Sequence, residues 1–287
     1  MARTAAAVGL GAALIAGVAM AQTATGPIDG AIDLQPAGSE MAREIGTFHT
    51  LLLWIISAIT LFVLALLLYV MARYNRAANP TPKKFTHNMT VEVLWTVVPV
   101  IILVVIAALS FPLLFKQEQM PADVQLTVKA TGNTWNWNYT YPDQNVEFLS
   151  NPLSEEDAVA ANKPYRMAVD EPLVVPVNTT VRVLVTANDV IHAFSVPSLG
   201  IKEDAIPGRV NETWFNAEKT GTFYGFCQEL CGIGHSIMPI EVKVVTRPEF
   251  DAFIASKGGQ LAAAPTAPAT SEPAPTPAPA PAGAPGR

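Results

Sequence analysis

The sequence predicts an α-helical membrane hairpin of two transmembrane helices, followed by an all-β domain of Greek-key barrel or sandwich type. Three observations predict it. Two long apolar runs, Thr50–Ala72 and Val93–Phe115, contain no charged residue. From about Gln117 onward, apolar and polar residues alternate over short stretches separated by Pro, Gly, Asn and Asp. Hydrophobic residues make up 50% of the chain against 15% charged, and they are not spread evenly along it.

The first segment, residues 1–21, places Arg3 before an apolar core and closes on the small-x-small pattern Ala19-Met20-Ala21. That is the pattern of a secretory signal peptide, with an uncleaved anchor helix as the alternative. Residues 22–47 then form an external segment, and 48–115 the hairpin, with helices at about 48–72 and 91–115. Each apolar run approaches the roughly 20 residues needed to cross about 30 Å of hydrocarbon. Neither has the polar face that a buried helix of a soluble domain would show. The loop between them carries Arg73, Arg76, Lys83 and Lys84, whereas the outer flanks hold only Arg43 and Lys116. Basic loops stay in the cytoplasm, so both termini and the β domain are expected outside.

Residues 116–261 are read as the β domain. Val124, Leu126 and Val128 alternate in one stretch, and Val181, Val183 and Val185 in another. Further strands are expected in WNWNYTY, VIHAFSV, RVNETWFNA, TFYGFC and PIEVKVV. The domain closes with RPEFDAFIASK, where Pro248 suits the first helical turn and Phe250, Phe253 and Ile254 form one apolar face. The Ala/Pro-rich tail, 262–287, holds too little apolar surface to offset its ordering entropy and is expected to be disordered. Between Gln117 and Leu261 there are 10 Lys plus Arg against 18 Asp plus Glu, a net charge of −8. Such a surface suits solubility or docking of a basic protein, and no nucleic-acid partner is expected.

The chemistry gathers in CQELCGIGHSIM, Cys227 to Met238, which holds both cysteines of the chain. Outside the cytoplasm a disulfide is the first reading, but it leaves His235 and Met238 unused. Zinc accepts Cys and His, yet a thioether is a poor zinc ligand. Thiolate, imidazole and a weak axial Met together suit copper in electron transfer. Of the four histidines, His49 and His87 lie in or beside the hairpin, which leaves His192 as the external partner of His235. Two cysteines allow two bridged coppers, each with one His, and with Met238 and the Glu229 carbonyl as axial groups. A mononuclear copper site, zinc and a disulfide stay open on the residues alone.

The loop is the motif C-x-E-x-C-x3-H-x2-M complete, as Cys227, Glu229, Cys231, His235 and Met238. With HAFSVPSLGIKEDAIPGRVNETWF upstream and VEVLWTVVPVIILVVIA in the second apolar run, the chain resembles subunit II of the haem-copper cytochrome c oxidases from Ile45 to Phe253. Quinol-oxidase relatives lack these copper ligands. The resemblance implies a cupredoxin-like barrel with a dinuclear copper A centre on His192, Cys227, Glu229, Cys231, His235 and Met238, and no haem in this subunit. It implies electron transfer from cytochrome c to haem a of subunit I, where haem a3 and CuB reduce O2 to water with proton pumping. Electrons would enter at Trp135; the family's usual G-H-Q-W-Y-W-S-Y reads Gly132-Asn133-Thr134-Trp135-Asn136-Trp137-Asn138-Tyr139 here.

The resemblance further implies cytochrome docking at Asp170 and Asp189. Glu147 is a candidate substitute, since Asn188 and Thr140 stand where acids are common. The Glu229 carboxylate would share Mg2+ with subunit I, a hard ion that prefers oxygen ligands. Asp204 and Arg209 would lie at the same interface, with subunit III and lipid as further neighbours in a bacterial plasma membrane, the β domain being periplasmic. Glu92, at the cytoplasmic start of the second helix, would open a proton path, although a carboxylate there is also favoured by the helix dipole. Rival readings are a membrane-tethered copper donor or mononuclear cupredoxin, the copper A domain of a nitrous oxide reductase, and a zinc-stapled sensor.

Overall fold

The computed structural model describes residues 25–28 and 30–261; the expected signal peptide and the Ala/Pro-rich tail lie outside the described residues. Two long helices come first: α1, Glu40–Arg73, and α2, Met89–Glu118. Each contains a window of mean hydropathy 2.9 with none of it buried inside the chain. An apolar surface exposed on all sides is what lipid, and not water, stabilises. Ser39 caps α1 by accepting from the Ala42 amide, and Asn88 caps α2 by accepting from the Val91 amide at 3.2 Å. Glu92 returns the gesture, its carboxylate accepting from the Asn88 amide at 3.0 Å.

Both helices outrun their apolar stretches, and α1 begins well before the expected residue 48. Its first turn leaves the membrane and seats against the β domain, where Met41 and Ala42 are buried. The Ser39 hydroxyl donates to the Leu199 carbonyl at 2.8 Å and the Gly38 amide to the Ser198 carbonyl at 2.7 Å. Arg43 forms a two-pronged ion pair with Glu218. Lys116, near the end of α2, donates to Glu40 at 2.8 Å and Glu44 at 2.6 Å, so the outer ends of both helices are tied together.

The β domain is a two-layer sandwich. One sheet runs β3-β2-β1-β5-β8 and the other β4-β10-β9-β6-β7. In chain order these are β1 Leu126–Asn133, β2 Asn136–Tyr141, β3 Val146–Ser150, β4 Leu173–Pro176, β5 Thr180–Ala187, β6 His192–Val196, β7 Ile201–Ala205, β8 Asn211–Asn216, β9 Gly221–Cys227 and β10 Pro239–Val245. The pairs β1–β5 and β10–β4 are parallel, the other ladders antiparallel. Val181, Val183 and Val185 on β5 are fully buried, as their alternation requires. Each contributes on the order of 1.5–3 kcal/mol of burial. Trp137, Tyr139, Tyr141, Phe194 and Phe215 fill the rest of the interior.

Three strands and a short helix, α3 at Glu155–Ala160, are additional to the sequence reading. The sequences of β3 (VEFLS) and β7 (IKEDA) are too polar to stand out, and β4 (LVVP) is buried on both faces and so does not alternate. β4 is held partly by Tyr141, whose hydroxyl donates to the Val174 carbonyl at 2.8 Å and accepts from the Val174 amide at 3.0 Å. Helix α4, Arg247–Ser256, lies where the sequence placed it, with a Thr246–Glu249 capping box and with Phe250 and Ile254 buried.

Candidate metal centre

Strands β6 and β9 are antiparallel neighbours, with Phe194 opposite Cys227. His192, two residues before Phe194, therefore meets the end of β9 at one end of the sandwich. The chain leaves β9 at Cys227 and returns in β10 at Pro239, and the intervening loop carries Cys231, His235 and Met238. The Cys227 amide donates to the Met238 carbonyl at 3.0 Å, which closes the loop at its base. His192, Cys227, Cys231 and Met238 are all buried, and His235 is half-buried.

The two sulfurs stand 3.8 Å apart. That is far longer than the roughly 2.05 Å of a disulfide, and both thiols are free. Metal–sulfur bonds are about 2.3 Å, so one ion can touch both sulfurs. Each sulfur has its own imidazole: His192 Nδ1 lies 3.9 Å from Cys227 and His235 Nδ1 lies 3.5 Å from Cys231. Met238 Sδ is 4.0 Å from the Cys231 sulfur, and the Glu229 carbonyl accepts from the Cys227 thiol at 3.3 Å. The ligand atoms of His192, Cys227 and Cys231 all fall within 4.8 Å of one another. Soft sulfur and imidazole donors in this ratio fit copper.

Electrostatics favour deprotonated ligands on one side first. Burial opposes charge on Cys227, but the His192 imidazole, main-chain groups at Ala193 and Glu229, and His235 outweigh it and lower that thiol. Burial, and then the charge on Cys227, push the Cys231 thiol up. The pair therefore yields one proton readily, and a metal must displace the second.

Asp189 organises the other side of His192. Its Oδ1 lies 2.9 Å from His192 Nε2 and accepts from the Val190 amide at 2.7 Å. Its Oδ2 accepts from the Thr134 amide at 2.7 Å and the Thr134 hydroxyl at 2.6 Å. Burial alone would raise this carboxyl; these donors instead hold it well below the usual carboxylate range. A carboxylate on Nε2–H leaves Nδ1 as the free donor facing the sulfurs. Gly132 permits the close approach, because a Cβ there would meet the His192 ring at 2.9 Å from its Cδ2. Neither role was drawn from the sequence, although an Asp three residues before a ligand His was a readable signal.

The other residues named from the sequence spread outward. Trp135 is half-buried and its indole N–H donates to the Cys231 carbonyl at 3.0 Å. Asp170 accepts from the Asn151 amide at 2.7 Å and its side-chain amide at 3.1 Å, fastening the base of the excursion that contains α3. Glu147, on β3, accepts from Asn138 at 2.6 Å. Asp204 lies on β7 and Arg209 on the β7–β8 connection; the Asp204 carbonyl accepts from the Asn211 side-chain amide and the Arg209 carbonyl from the Thr186 hydroxyl. Glu92 is remote from the site, at the opposite end of α2 from the β domain.

Comparison with known proteins places this architecture. The family described as cytochrome c oxidase subunit II, periplasmic domain, matches residues 126–245, and the corresponding transmembrane-domain family matches residues 27–113. A probable cytochrome c oxidase subunit 2 of Rickettsia bellii is 48% identical over 235 residues, covering 82% of this chain and 87% of that protein. Cytochrome c oxidase subunit 2 of Cereibacter sphaeroides is 42% identical over 262 residues, covering 85% and 86%. The crystal structure of the periplasmic domain of subunit II of cytochrome oxidase from Bradyrhizobium japonicum is 48% identical, covering 49% of this chain and 97% of that one, with a TM-score of 0.45. With both of its regions matched and its copper-type donors gathered at one end of the sandwich, the chain belongs to the cytochrome c oxidase subunit II family.

Proposed function

We propose that this chain takes single electrons from a cytochrome c at a dinuclear copper A centre and passes them to haem a of subunit I, which reduces O2 to water with proton pumping. The observation that carries the proposal is the doubled donor set: two sulfurs 3.8 Å apart, each with its own imidazole nitrogen. Cys227, Cys231, His192 and His235 would hold the copper, with Met238 and the Glu229 carbonyl as further ligands. When bound, the copper pair supplies a one-electron couple whose charge is shared over two metals.

The protein's part is to hold these donors still and dry. Burial of His192, Cys227, Cys231 and Met238 shields these ligands from water. The Asp189 carboxylate fixes the ring and tautomer of His192. Trp135, hydrogen-bonded to the Cys231 carbonyl and half-exposed, is where electrons enter.

The same reading assigns the remaining roles. Asp170 and Glu147 attract the basic cytochrome, and Asp189 adds its outer edge. The Glu229 carboxylate binds Mg2+ with subunit I, near Asp204 and Arg209. Subunit III and lipid flank the hairpin, whose termini and β domain face the periplasm of a bacterium. Glu92 combines helix capping with a proton path. Domain limits follow the sequence reading: leader 1–21, external segment 22–47, hairpin 48–115, copper domain 116–261 and tail 262–287.

Copper counting with paramagnetic resonance on the full chain in its oxidase complex tests the proposal. The expected result is three coppers per complex, two on this chain beside the one at CuB of subunit I, with hyperfine structure from one electron shared by two nuclei. A single-nucleus pattern with both thiols reduced and intact would refute it.

A further inference from the structure

The copper loop touches Trp135 through more than the indole hydrogen bond. The stretch Gly232-Ile233-Gly234 runs across the ring. A Cβ built on Gly232 would lie 3.2 Å from Trp135 Cζ2, already tighter than ordinary contact. One built on Gly234 would overlap the base of the indole, at 2.6 Å from Cε3 and closer still to Cγ and Cδ2. The three atoms nearest to that position all belong to Trp135.

The two glycines are there for different reasons. Gly232 has φ +110, which a side chain rarely adopts, so its identity is set by the backbone. Gly234 has φ −89 and ψ 6, conformationally open to other residues. What a side chain at 234 would strike first is the indole. Ile233, between them, is 93% exposed and turned away from the contact.

We infer that Gly234 is a positioning residue for electron uptake: its missing side chain lets the Trp135 indole pack against the copper loop and reach the Cys231 carbonyl. The atoms a methyl would strike, Cγ and Cδ2, are close to the Trp135 backbone. The ring cannot slide past them by a small rotation and must leave the seat. The Trp135–Cys231 hydrogen bond then breaks, and with it the route from the indole through the Cys231 carbonyl to that residue's sulfur. This inference rests on the assignment of Trp135 as the point of electron uptake.

The test is a double-mutant cycle of Gly234→Ala and Trp135→Ala in the full-length chain assembled in the oxidase. Electron uptake from reduced cytochrome c is followed by stopped flow, and the copper centre by paramagnetic resonance. Gly234→Ala is expected to leave two coppers with an unchanged hyperfine pattern. Uptake should slow by roughly tenfold or more, within the range that ångström-scale misplacement costs. In the metal-free full chain, the Trp135 indole N–H should exchange with solvent faster than in the unmodified protein. In the Trp135→Ala background, Gly234→Ala should have no further effect, since nothing is left for the methyl to strike. If Gly234→Ala still slows uptake there, or releases copper in either background, the glycine serves the loop fold and the inference is overturned. An uptake rate unchanged by Gly234→Ala, with Trp135→Ala slow, overturns the inference and leaves the uptake site standing. An uptake rate unchanged by Trp135→Ala removes the uptake site, and the inference with it.

Discussion

The two halves of the metal centre are built differently. His192 and Cys227 stand on paired strands, fully or almost fully buried, with Asp189 and Gly132 fixing the histidine from behind. Cys231, His235 and Met238 stand on a loop whose internal main-chain bonds are few: Cys227 to Met238, His235 to Gly232 and Ile237 to Gly234. The strand half exists because the sandwich core exists. The loop half is held by those bonds, by Trp135, and by whatever the donors share. On the proposed copper reading, the loop half would close over the strand half, which would link metal binding to loop order.

The largest expected break in this comparison comes from Cys231→Ser. It removes the loop's bridging sulfur while the strand half stays intact. Copper content should fall from two to at most one per chain, with a single-nucleus hyperfine pattern. Retention of two coppers would contradict bridging.

Removing the metal from the intact protein should separate the halves more gently. Hydrogen exchange measured with and without chelator is expected to rise at residues 228–237, while β6 and β9 keep their protection. Equal acceleration in β6 would show that the strand half also needs metal.

The smallest effect concerns the buttress itself. Asp189→Ala leaves His192 Nε2 and the Thr134 amide without their acceptor. A lost partner of a metal-bound imidazole typically costs about 10–100-fold in metal affinity. Domain stability should fall by about 1–3 kcal/mol, the range for orphaning a polar group. The Asp189 carboxyl is depressed in the folded state, so its contribution is present above the usual carboxylate range and is lost as pH falls through the depressed native value. Burial opposes charge on His192, but Cys227 and Asp189 outweigh it and raise its pKa. Denaturation of the apo-protein should therefore show the gap between wild type and Asp189→Ala growing as pH falls through the raised His192 value and shrinking below about 4. A gap that failed to shrink below about 4 would contradict the buttress.

The same division explains what the sequence revealed. The ligands were legible because Cys, His and Met in one short loop have little other use, and because His192 was the one histidine left away from the hairpin. The helices were legible through their uncharged runs, and β5 through its valines. What escaped notice depends on contacts between distant segments. The outer turn of α1, EMAREIG, reads as polar and unremarkable until Gly38 and Ser39 meet Ser198 and Leu199. Asp189 looks like a surface acid until Thr134 and His192 are folded onto it. Gly234 looks like loop filler until the indole lies on it.

The overshoot of α1 acts as a mounting post. From Glu40 to His49 the helix rises about 15 Å at 1.5 Å per residue. Clamped to the sandwich at Ser39 and Arg43, and to α2 through Lys116, it sets how the β domain is turned relative to the two apolar helices. A single residue added or removed in that stretch would turn the post by about 100°. The chain thus encodes a bearing as well as a binding site, and a partner fixed in the membrane meets the metal at an angle this helix has already chosen.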